Sequence, residues 1–413
     1  MTEETIVPKK TKVLILGGGI HGVGVLHDLV SRGWDDVVLI EKEHLASGTS
    51  SKSTKLIHGG LRYLARVSQF KMVKECLKER DLLLNLAGDV VKPIEIVIPI
   101  MKKDILQKIK FKIGLSLYDQ LAGKYQIHPH KRLNFSEIEA KVPILDLSNI
   151  KGAYSYWDAQ TDDALLVNKI ARLAQASGGT ILEGSEAINC CINEKKWLTT
   201  IRKDGKNYDI ESSFIINCLG PWANQFLENC KIKPSHEGFN NKGSHLVVKD
   251  LGLKSGLLLE TTDQRVLFIL PWNEKTLIGT TEKLYTGNPS DLKVDDEEID
   301  YLLRECNYYL KDKIYKKDIK DSFAGLRWLA KENNMNISGN TRETIVGEIF
   351  ADTNCSLMTI YGGKLTSYRL LAQKIGDKIF SLSKDSRPTG TKNEDNWILQ
   401  KKSKNKITHK NSV

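Results

Sequence analysis

The order of apolar and polar positions is clearest near the start of the chain. An apolar run at residues 13–16 leads through clustered glycines into a helical pattern that extends to Gly33. This order predicts a buried strand, a tight turn and a helix. A second apolar run at residues 37–40 predicts another strand and ends in Glu41. The pattern therefore predicts the opening of an α/β fold with a parallel sheet.

The glycines of this unit have the spacing of a dinucleotide-binding turn. Gly17 permits the turn, Gly19 lets a pyrophosphate approach the backbone, and Gly22 lets the helix pack closely on the strand. The phosphates then sit on the positive end of the helix. Glu41 follows about 20 residues later, where a carboxylate can accept hydrogen bonds from both ribose hydroxyls. These features predict a dinucleotide but do not distinguish FAD from NAD.

A series of motifs follows the glycine turn. A-S-G-T-S-S-K-S-T-K-L-I-H-G-G-L-R-Y occupies residues 46–63, and Y-G-G-K-L-T-S-Y-R occupies residues 361–369. In this order the motifs resemble those of FAD-dependent glycerol-3-phosphate dehydrogenases, members of the amino-acid-oxidase-like flavoprotein superfamily. The resemblance covers residues 11 to about 380. Its further motifs lie at residues 214–222, 242–248, 268–281, 322–327 and 341–343.

The resemblance implies FAD as the cofactor and no metal. A helix that opens on Gly362 and Gly363 can approach the flavin ring or its ribityl chain. The expected cofactor-binding residues are those of the glycine turn, the acid after the second strand and the family motifs: Gly17, Gly19, Gly22, Glu41, Thr49, Ser50, Ser51, Lys55, Gly220, Gly362, Gly363, Leu365 and Thr366.

The expected fold class is α/β with two discontinuous domains. Short β-rich runs around the turn signal Asp204-Gly205 predict a β-meander that returns to the parallel sheet. We expect a Rossmann-like FAD-binding domain with a parallel sheet and this meander, and an α+β substrate domain with a mainly antiparallel sheet. The expected ranges are 11–90, 146–230 and 341–381 for the FAD-binding domain, 91–145 and 231–340 for the substrate domain, and 382–413 for a basic, disordered tail.

The chemistry implied by the resemblance is oxidation of sn-glycerol 3-phosphate at C2, with hydride passing to flavin N5. A secondary alcohol donates hydride poorly until its O–H proton is being lost, so the site needs cations or a base near that oxygen. Arg327 and Lys364 are the candidates for polarising the oxygen. Arg62, Tyr63 and Arg342 are the candidates for holding the phosphate, because arginine grips phosphate with two donors.

Two histidines in the family motifs complete the expected site. His58 and His245 are candidates for the proton acceptor or for a supporting donor, and their types alone do not rank them. A packed structural histidine is the alternative for each. For Arg62 and Arg327 the alternative is an ion pair between domains. Acids that precede a helical run are typical N-caps, so Asp162 and its neighbour are left out of the site.

Several positions depart from the family pattern. Leu26 replaces a small residue in the first helix, Glu282 stands where aspartate is usual, and Trp328 follows Arg327 where proline is usual. We expect Trp328 to reshape the substrate pocket. Most of the helical C-terminal domain of full-length family members is also expected to be missing.

Composition narrows the class of protein. The chain has 413 residues, 40% of them hydrophobic and 27% charged, and no run of about 18 apolar residues that would span a bilayer. The N-terminus lacks the pattern of a secretory signal, so the expected compartment is the cytoplasm. Seven cysteines without C-x-x-C spacing argue against a zinc ribbon or a disulfide framework. The adjacent Cys190 and Cys191 are interpreted as packing residues.

The charge pattern indicates an anionic partner. The net charge is +10, and residues 383–413, with eight basic and three acidic side chains, carry half of it. Nucleic acid is not expected, because the lysines are not interleaved with exposed aromatics in a recognisable module. Residues 101–121 place an apolar stripe between lysines, which favours a helix lying on an anionic membrane surface over a core helix. The stripe is Ile105, Ile109, Ile113, Leu117 and Leu121.

Three functions are consistent with these residues. The leading hypothesis is a glycerol-3-phosphate dehydrogenase that is peripheral on the inner face of the cytoplasmic membrane and passes electrons to a quinone or another acceptor. The second is a soluble flavin oxidase, or a dehydrogenase of a related phosphorylated or hydroxy-acid substrate. The third is a flavin-binding subunit without turnover. Retention of all the matched basic residues favours an enzyme.

Overall fold

The computed structural model describes residues 6–102, 105–331, 344–352 and 354–383. The helices in these ranges are α1 Ile20–Ser31, α2 Phe70–Leu86, α3 Ile105–Ala122, α4 Phe135–Lys141, α5 Asp163–Ala176, α6 Ala223–Asn229, α7 Asp296–Asn307 and α8 Tyr368–Ser383. The strands are β1 Lys10–Leu16, β2 Val37–Ile40, β3 Leu56–Ile57, β4 Val91–Met101, β5 Lys131–Leu133, β6 Ile150–Thr161, β7 Thr180–Leu182, β8 Ser185–Asn193, β9 Lys196–Lys203, β10 Lys206–Asn217, β11 Gly238–Lys249, β12 Gly256–Glu260, β13 Val266–Trp272, β14 Lys275–Gly279, β15 Lys283–Tyr285, β16 Ile319–Ala330, β17 Ile345–Asp352 and β18 Cys355–Tyr361.

The first sheet has a parallel centre. Strands β7, β2, β1, β10 and β18 run parallel in this order, and β17 pairs antiparallel with β18 at one edge. Strands β8 and β9 form an antiparallel meander with the first half of β10. The predicted α/β class and its meander are therefore confirmed.

Apolar layers cover both faces of this sheet. Helices α1, α5 and α8 contribute to one buried cluster with the strands, and the meander and α6 contribute to a second. The central strands are apolar throughout because neither face meets water, and Val13 to Leu16 are 0% exposed. This burial fixes the strand ends that carry the glycine turn.

The second sheet is mainly antiparallel, as predicted. Its strands follow the order β15-β11-β14-β13-β12-β4-β6-β3, with β16 on β11 and β5 on β6. Within this second sheet, and among the strands that the structure describes, β12 and β4 form the parallel pair. Helices α4 and α7 contribute to the core on one side of this sheet, and α2 and α3 contribute to the core on the other side.

The residues at which the chain passes from one sheet to the other differ from the predicted domain boundaries. The prediction placed residues 56–57 and 150–161 with the cofactor domain, but β3 and β6 lie in the second sheet. Strand β6 pairs with β4 from Thr161↔Val91 to Ile150↔Met101. Pairing between distant segments decides sheet membership, and local sequence patterns do not report it. Residues 384–413 of the predicted tail lie outside the described ranges.

The parallel arrangement brings several loops to one edge. The carboxyl ends of parallel strands meet at the same edge of a sheet, and ligands of open α/β folds bind there. The loops that begin at Gly17, Glu41, Cys218 and Gly362 follow β1, β2, β10 and β18. Four segments that are distant in sequence are thereby placed around one space.

Candidate active site

The glycine turn holds the start of α1 close to β1. Gly17 has a φ of +102°, which favours glycine, and a Cβ added at Gly22 would lie 1.9 Å from the Gly17 carbonyl oxygen. Gly19 is the N-cap of α1, and the Ile20 N–H donates to Ser50 Oγ at 2.9 Å. The first turn of α1 contains no acidic residue, so its positive end suits a pyrophosphate.

Glu41 lies beside this turn. Its Oε2 accepts the Gly18 N–H at 2.6 Å, and its Oε1 accepts the Glu43 N–H at 3.0 Å. The carboxylate is therefore held at the end of β2, next to the backbone that would carry the phosphates. This is the position that a ribose-binding acid requires.

The segment after residue 48 ties the cofactor loop to both sheets. Thr49 Oγ1 donates to the Leu326 carbonyl at 3.0 Å, and Ser51 Oγ donates to the Gly48 carbonyl at 3.4 Å. The first bond connects the loop to β16 of the second sheet, and the second lies within the loop. The predicted cofactor residues at 49–51 thus lie between the two sheets.

Lys55 is predicted to bind the cofactor, and in the structure its buried ammonium contacts other protein groups. It is 6% exposed, and its ammonium donates to Asp163 Oδ1 at 2.5 Å and to the Ser51 carbonyl at 2.7 Å. Burial raises the pKa of Asp163, and Lys55 opposes this shift. Lys55 therefore holds the loop backbone through a buried ion pair, and its contact with the cofactor stays a prediction. Asp162 caps α5, as expected for an acid before a helix, by accepting the Leu165 N–H at 3.0 Å.

The two glycines after β18 meet the glycine turn. Gly362 and Gly363 have φ values of +69° and +106°, and a Cβ at Gly363 would lie 2.2 Å from His21 Nε2. Burial lowers the pKa of His21 to about 4, although a hydrogen bond to the Gly362 backbone opposes the shift. His21 is thus a neutral ring packed between the glycine turn and the Gly362–Gly363 loop. It was not among the predicted site residues, although its place between Gly19 and Gly22 was a usable signal.

Basic side chains from three separate motifs converge near this point. We call Arg62, Arg327 and Lys364 the cationic cluster. Burial is the main cause of the lowered pKa of His58, and the charges of all three basic residues add to it, so the three lie in the neighbourhood of its ring. Lys364 Nζ lies 4.7 Å from the ring centre of Tyr63, and the Arg62 guanidinium carbon lies 5.2 Å from it. The structure thus brings together predicted residues from β16, the segment after β3 and the loop after β18.

One acidic side chain partly offsets the charge of the cationic cluster. Arg62 Nη1 lies 3.7 Å from Glu282 Oε1. Burial lowers the pKa of Arg327, and Glu282 opposes this shift. Sequence reasoning noted Glu282 only as a departure from the family pattern. Its place beside two cations makes it part of the site.

Both candidate histidines are neutral near pH 7. Burial lowers the pKa of His58 to about 4, with Asp158 opposing, and lowers that of His245 to about 3, with Arg327 and Lys55 adding to the shift. His245 is 1% exposed, shares a 2.9 Å hydrogen bond between its Nε2 and Thr54 Oγ1, and stacks on a phenylalanine. A neutral imidazole can accept a proton, so the geometry permits this role for either ring.

A buried polar network supports the backbone next to His58. Asp158 accepts hydrogen bonds from Tyr118 Oη at 2.7 Å, from Arg80 Nη1 at 2.8 Å and from the Gly59 N–H at 3.2 Å. Thr366 Oγ1 accepts the His58 N–H at 3.2 Å on the other side. The loop that carries His58 is therefore fixed between α2, α3 and the start of α8.

Trp328 lies within the described residues, whereas Arg342 does not. Trp328 points to the opposite face of β16 from Arg327, because successive strand residues alternate, and its ring lies 4.6 Å from that of Tyr361. Trp328 therefore packs at the junction with β18, and its influence on the substrate pocket stays a prediction. Arg342 lies outside the described residues, so its predicted phosphate contact stays a prediction.

Comparison with known proteins agrees with this arrangement. The family model described as FAD dependent oxidoreductase matches residues 12–369. D-erythritol 1-phosphate dehydrogenase of Brucella abortus is 36% identical over 89% of this chain and 73% of its own length. Aerobic glycerol-3-phosphate dehydrogenase of Escherichia coli is 32% identical over 92% of this chain and 75% of its own. The structure of Bacillus halodurans glycerol-3-phosphate dehydrogenase complexed with FAD has a TM-score of 0.74, at 28% identity, over 93% of this chain and 67% of that one.

The fold, the glycine turn and these matches define a flavoenzyme. The chain belongs to the FAD-dependent oxidoreductase family, and its cofactor is FAD. The residues present fit this cofactor. The tight packing of Gly22 on Gly17 places the positive end of α1 at the turn, and Glu41 is held beside that turn, where an acid would reach the ribose.

The glycine turn yields a testable prediction. We expect Gly22→Ala to weaken FAD binding by at least about tenfold, because the new methyl group would overlap the Gly17 carbonyl and displace α1. Gly114→Ala is the matched control, since nothing lies within 4 Å of a Cβ at that helical position. Flavin absorbance retained after gel filtration measures the effect. Equal retention by both variants would contradict the role of this contact.

Proposed function

We propose that the protein oxidises the secondary alcohol at C2 of sn-glycerol 3-phosphate to dihydroxyacetone phosphate. One observation carries the proposal: the members of the cationic cluster meet at Tyr63, near His58 and next to the Gly362–Gly363 loop, which packs on the glycine turn. Such a site suits a phosphorylated alcohol, because it offers cations for the phosphate and a base for the hydroxyl proton. The names of several relatives support the same substrate.

Each residue has a distinct task in this proposal. Bound FAD supplies the acceptor for the hydride that leaves C2. Arg327 and Lys364 stabilise negative charge that develops on the alcohol oxygen as its proton departs. A ring nitrogen of His58 or His245 accepts that proton. His58 is the better placed of the two, since its backbone is hydrogen-bonded to Thr366 beside Lys364, whereas the His245 ring is already hydrogen-bonded to Thr54.

The phosphate is held by the outer part of the site. Arg62 is 35% exposed at its side chain, and its partner Glu282 is 10% exposed. A phosphate would offer Arg62 a second anion with matching oxygen spacing, and Tyr63 a hydrogen-bond acceptor. Arg342 is proposed as a further phosphate ligand on the strength of the motif at 341–343 alone.

A second substrate has support of its own. The D-erythritol 1-phosphate dehydrogenase of Brucella abortus is 36% identical to this chain. D-Erythritol 1-phosphate is also a phosphorylated polyol, so the same cations and base would serve it. The discriminating property is the length of the polyol that the site accepts.

Electron transfer to a membrane quinone is also proposed. Among the described residues, no helix combines the length and apolar character needed to cross a bilayer. Helix α3 nevertheless exposes Ile109 (53%) and Ile113 (64%), while Leu115 and Tyr118 are buried on its other side. The exposed Lys110 and Lys112 flank this apolar patch. An interfacial helix is supported by this combination, because the patch is not used in the core.

The proposed site of membrane contact is close to the proposed chemistry. Helix α3 packs against residues 61–65, the turn that carries Arg62 and Tyr63. A bilayer that holds α3 would therefore lie near the mouth of the substrate site. This placement favours a lipid-soluble quinone as the electron acceptor over molecular oxygen.

Anaerobic reduction tests the substrate proposal directly. We expect sn-glycerol 3-phosphate to bleach the flavin absorbance of the purified protein, and D-erythritol 1-phosphate to do so more slowly at equal concentration. Faster bleaching by the erythritol ester would transfer the assignment to that substrate. Bleaching by neither, with full bleaching by dithionite, would favour a binding subunit without turnover. Rapid peroxide formation in air would favour the soluble-oxidase hypothesis.

Arg62 provides a test of phosphate binding. Arg62→Lys retains the charge but loses two-donor geometry, so we expect KM for glycerol 3-phosphate to rise roughly tenfold with a smaller change in kcat. Arg132→Lys, at an exposed position of β5, is the matched control and should leave both constants unchanged. An unchanged KM in Arg62→Lys would remove Arg62 from the phosphate site.

Liposome sedimentation tests the membrane proposal. We expect the protein to bind vesicles that contain anionic lipid, to be released partly by high salt, and to lose binding in Ile109→Ser/Ile113→Ser with FAD retained. Each lysine near the surface adds about 1 kcal/mol of attraction. The control is Leu165→Ser/Ile192→Ser, which removes residues of similar exposure from another region. Equal binding by both double variants would place the contact elsewhere.

A further inference from the structure

Two cysteines that are distant in sequence meet behind the parallel sheet. Cys190 lies in β8, and Cys230 follows the last residue of α6. The Cys190 backbone N–H donates to Cys230 Sγ, with 3.1 Å between nitrogen and sulfur. The Cys190 thiol also lies within hydrogen-bonding reach of the Cys230 sulfur. The two side chains therefore face each other.

Their exposure to solvent differs. Cys190 is 0% exposed and belongs to the buried cluster that includes Trp197 and Leu227. Cys230 packs against the same cluster but is only part-buried. A small oxidant can therefore reach Cys230 from solvent, while Cys190 is buried beside it.

The hydrogen bonds favour Cys230 as the nucleophile. Hydrogen bonds donated by the Cys190 thiol and by the Cys190 backbone N–H lower the pKa of Cys230. The pKa of Cys190 is raised, because its thiol donates to Cys230 and is buried. Thiolates, and not thiols, react with peroxides and disulfides. Cys191 is the next residue of β8, is exposed and points to the opposite face of the strand.

We propose that Cys190 and Cys230 form a redox-sensitive pair that hydrogen peroxide or an alkyl hydroperoxide converts into a disulfide. The geometry carries this assignment: one partner is accessible, the other is buried, and the pair is already in contact. The sulfurs need only move from hydrogen-bonding distance to about 2.05 Å. This inference does not depend on the proposed substrate.

Oxidation of the pair by a peroxide needs neither a metal nor a second enzyme. The Cys230 thiolate attacks one peroxide oxygen, the O–O bond breaks, and Cys230 becomes a sulfenic acid as hydroxide leaves. The Cys190 sulfur then attacks the Cys230 sulfur, forming the S–S bond and releasing a second hydroxide. The two thiol protons convert both hydroxides to water. The two thiols together lose two electrons, and one peroxide molecule gains them.

The bond would join β8 of the meander to the end of α6, which contribute to the same buried cluster. It would close the chain from residue 190 to residue 230, which contains β9, β10 and the turn around Gly220. A cross-link of this kind restricts the unfolded chain, so the oxidised protein should unfold at a higher temperature than the reduced one. Residue Gly220 lies in the loop expected to contact FAD.

Counting thiols in the FAD-loaded protein tests the pair. After treatment with equimolar hydrogen peroxide and denaturation, we expect titratable thiols to fall from seven to five as two cysteines are consumed. Tryptic peptides analysed without reduction should contain the segments of Cys190 and Cys230 joined, with two hydrogen atoms lost. Retention of all seven thiols would overturn the proposal.

Two serine variants locate the bond. The tryptic segment of Cys190 also contains Cys191, and that of Cys230 also contains Cys218. Cys191→Ser should still form the linked peptide, and Cys230→Ser should not. A linked peptide in Cys230→Ser, or its loss in Cys191→Ser, would assign the bond to other cysteines and overturn the proposal. The flavin spectrum serves as the folding control for both variants.

Discussion

The close approach of α1 to β1 is the constraint on which the rest of the site depends. A side chain at Gly22 would collide with the Gly17 carbonyl, so the first turn of α1 is held directly beside the end of the strand. Helices α5 and α8 pack on α1, and α8 begins after the Gly362–Gly363 loop. The position of this second loop, and of His21 against it, therefore follows from the same contact.

The second constraint is electrostatic. The protein gathers three cations near His58. It also contains buried ion pairs, among them Lys55–Asp163, Arg80–Asp158 and Arg369–Glu79. Removing one member of a buried pair leaves an uncompensated charge, so these pairs fix the loops that they connect. The cationic cluster differs because it has an excess of positive charge. That excess is what an anionic substrate would neutralise.

The two sheets have different tasks. The parallel sheet supplies the glycine turn, Glu41 and the loop after β18, whereas the antiparallel sheet supplies Arg327 and His245. Hydrogen bonds such as Thr49 to Leu326 connect them. A site built between two sheets holds its side chains within narrow limits, and such precision is what a reaction between a bound cofactor and a substrate requires.

Local sequence determined the β1–α1–β2 unit, its glycines and Glu41, because each depends on neighbours within about 30 residues and on steric rules for glycine. The family motifs also identified the members of the cationic cluster and both histidines as candidates. Tertiary structure alone decided which of these side chains meet. It placed β6 in the second sheet, turned Trp328 away from Arg327, paired Lys55 with Asp163 and brought Glu282, His21 and Cys230 to their partners. Strand pairing and packing join residues far apart in the chain, and no local pattern of apolar and polar positions records those contacts.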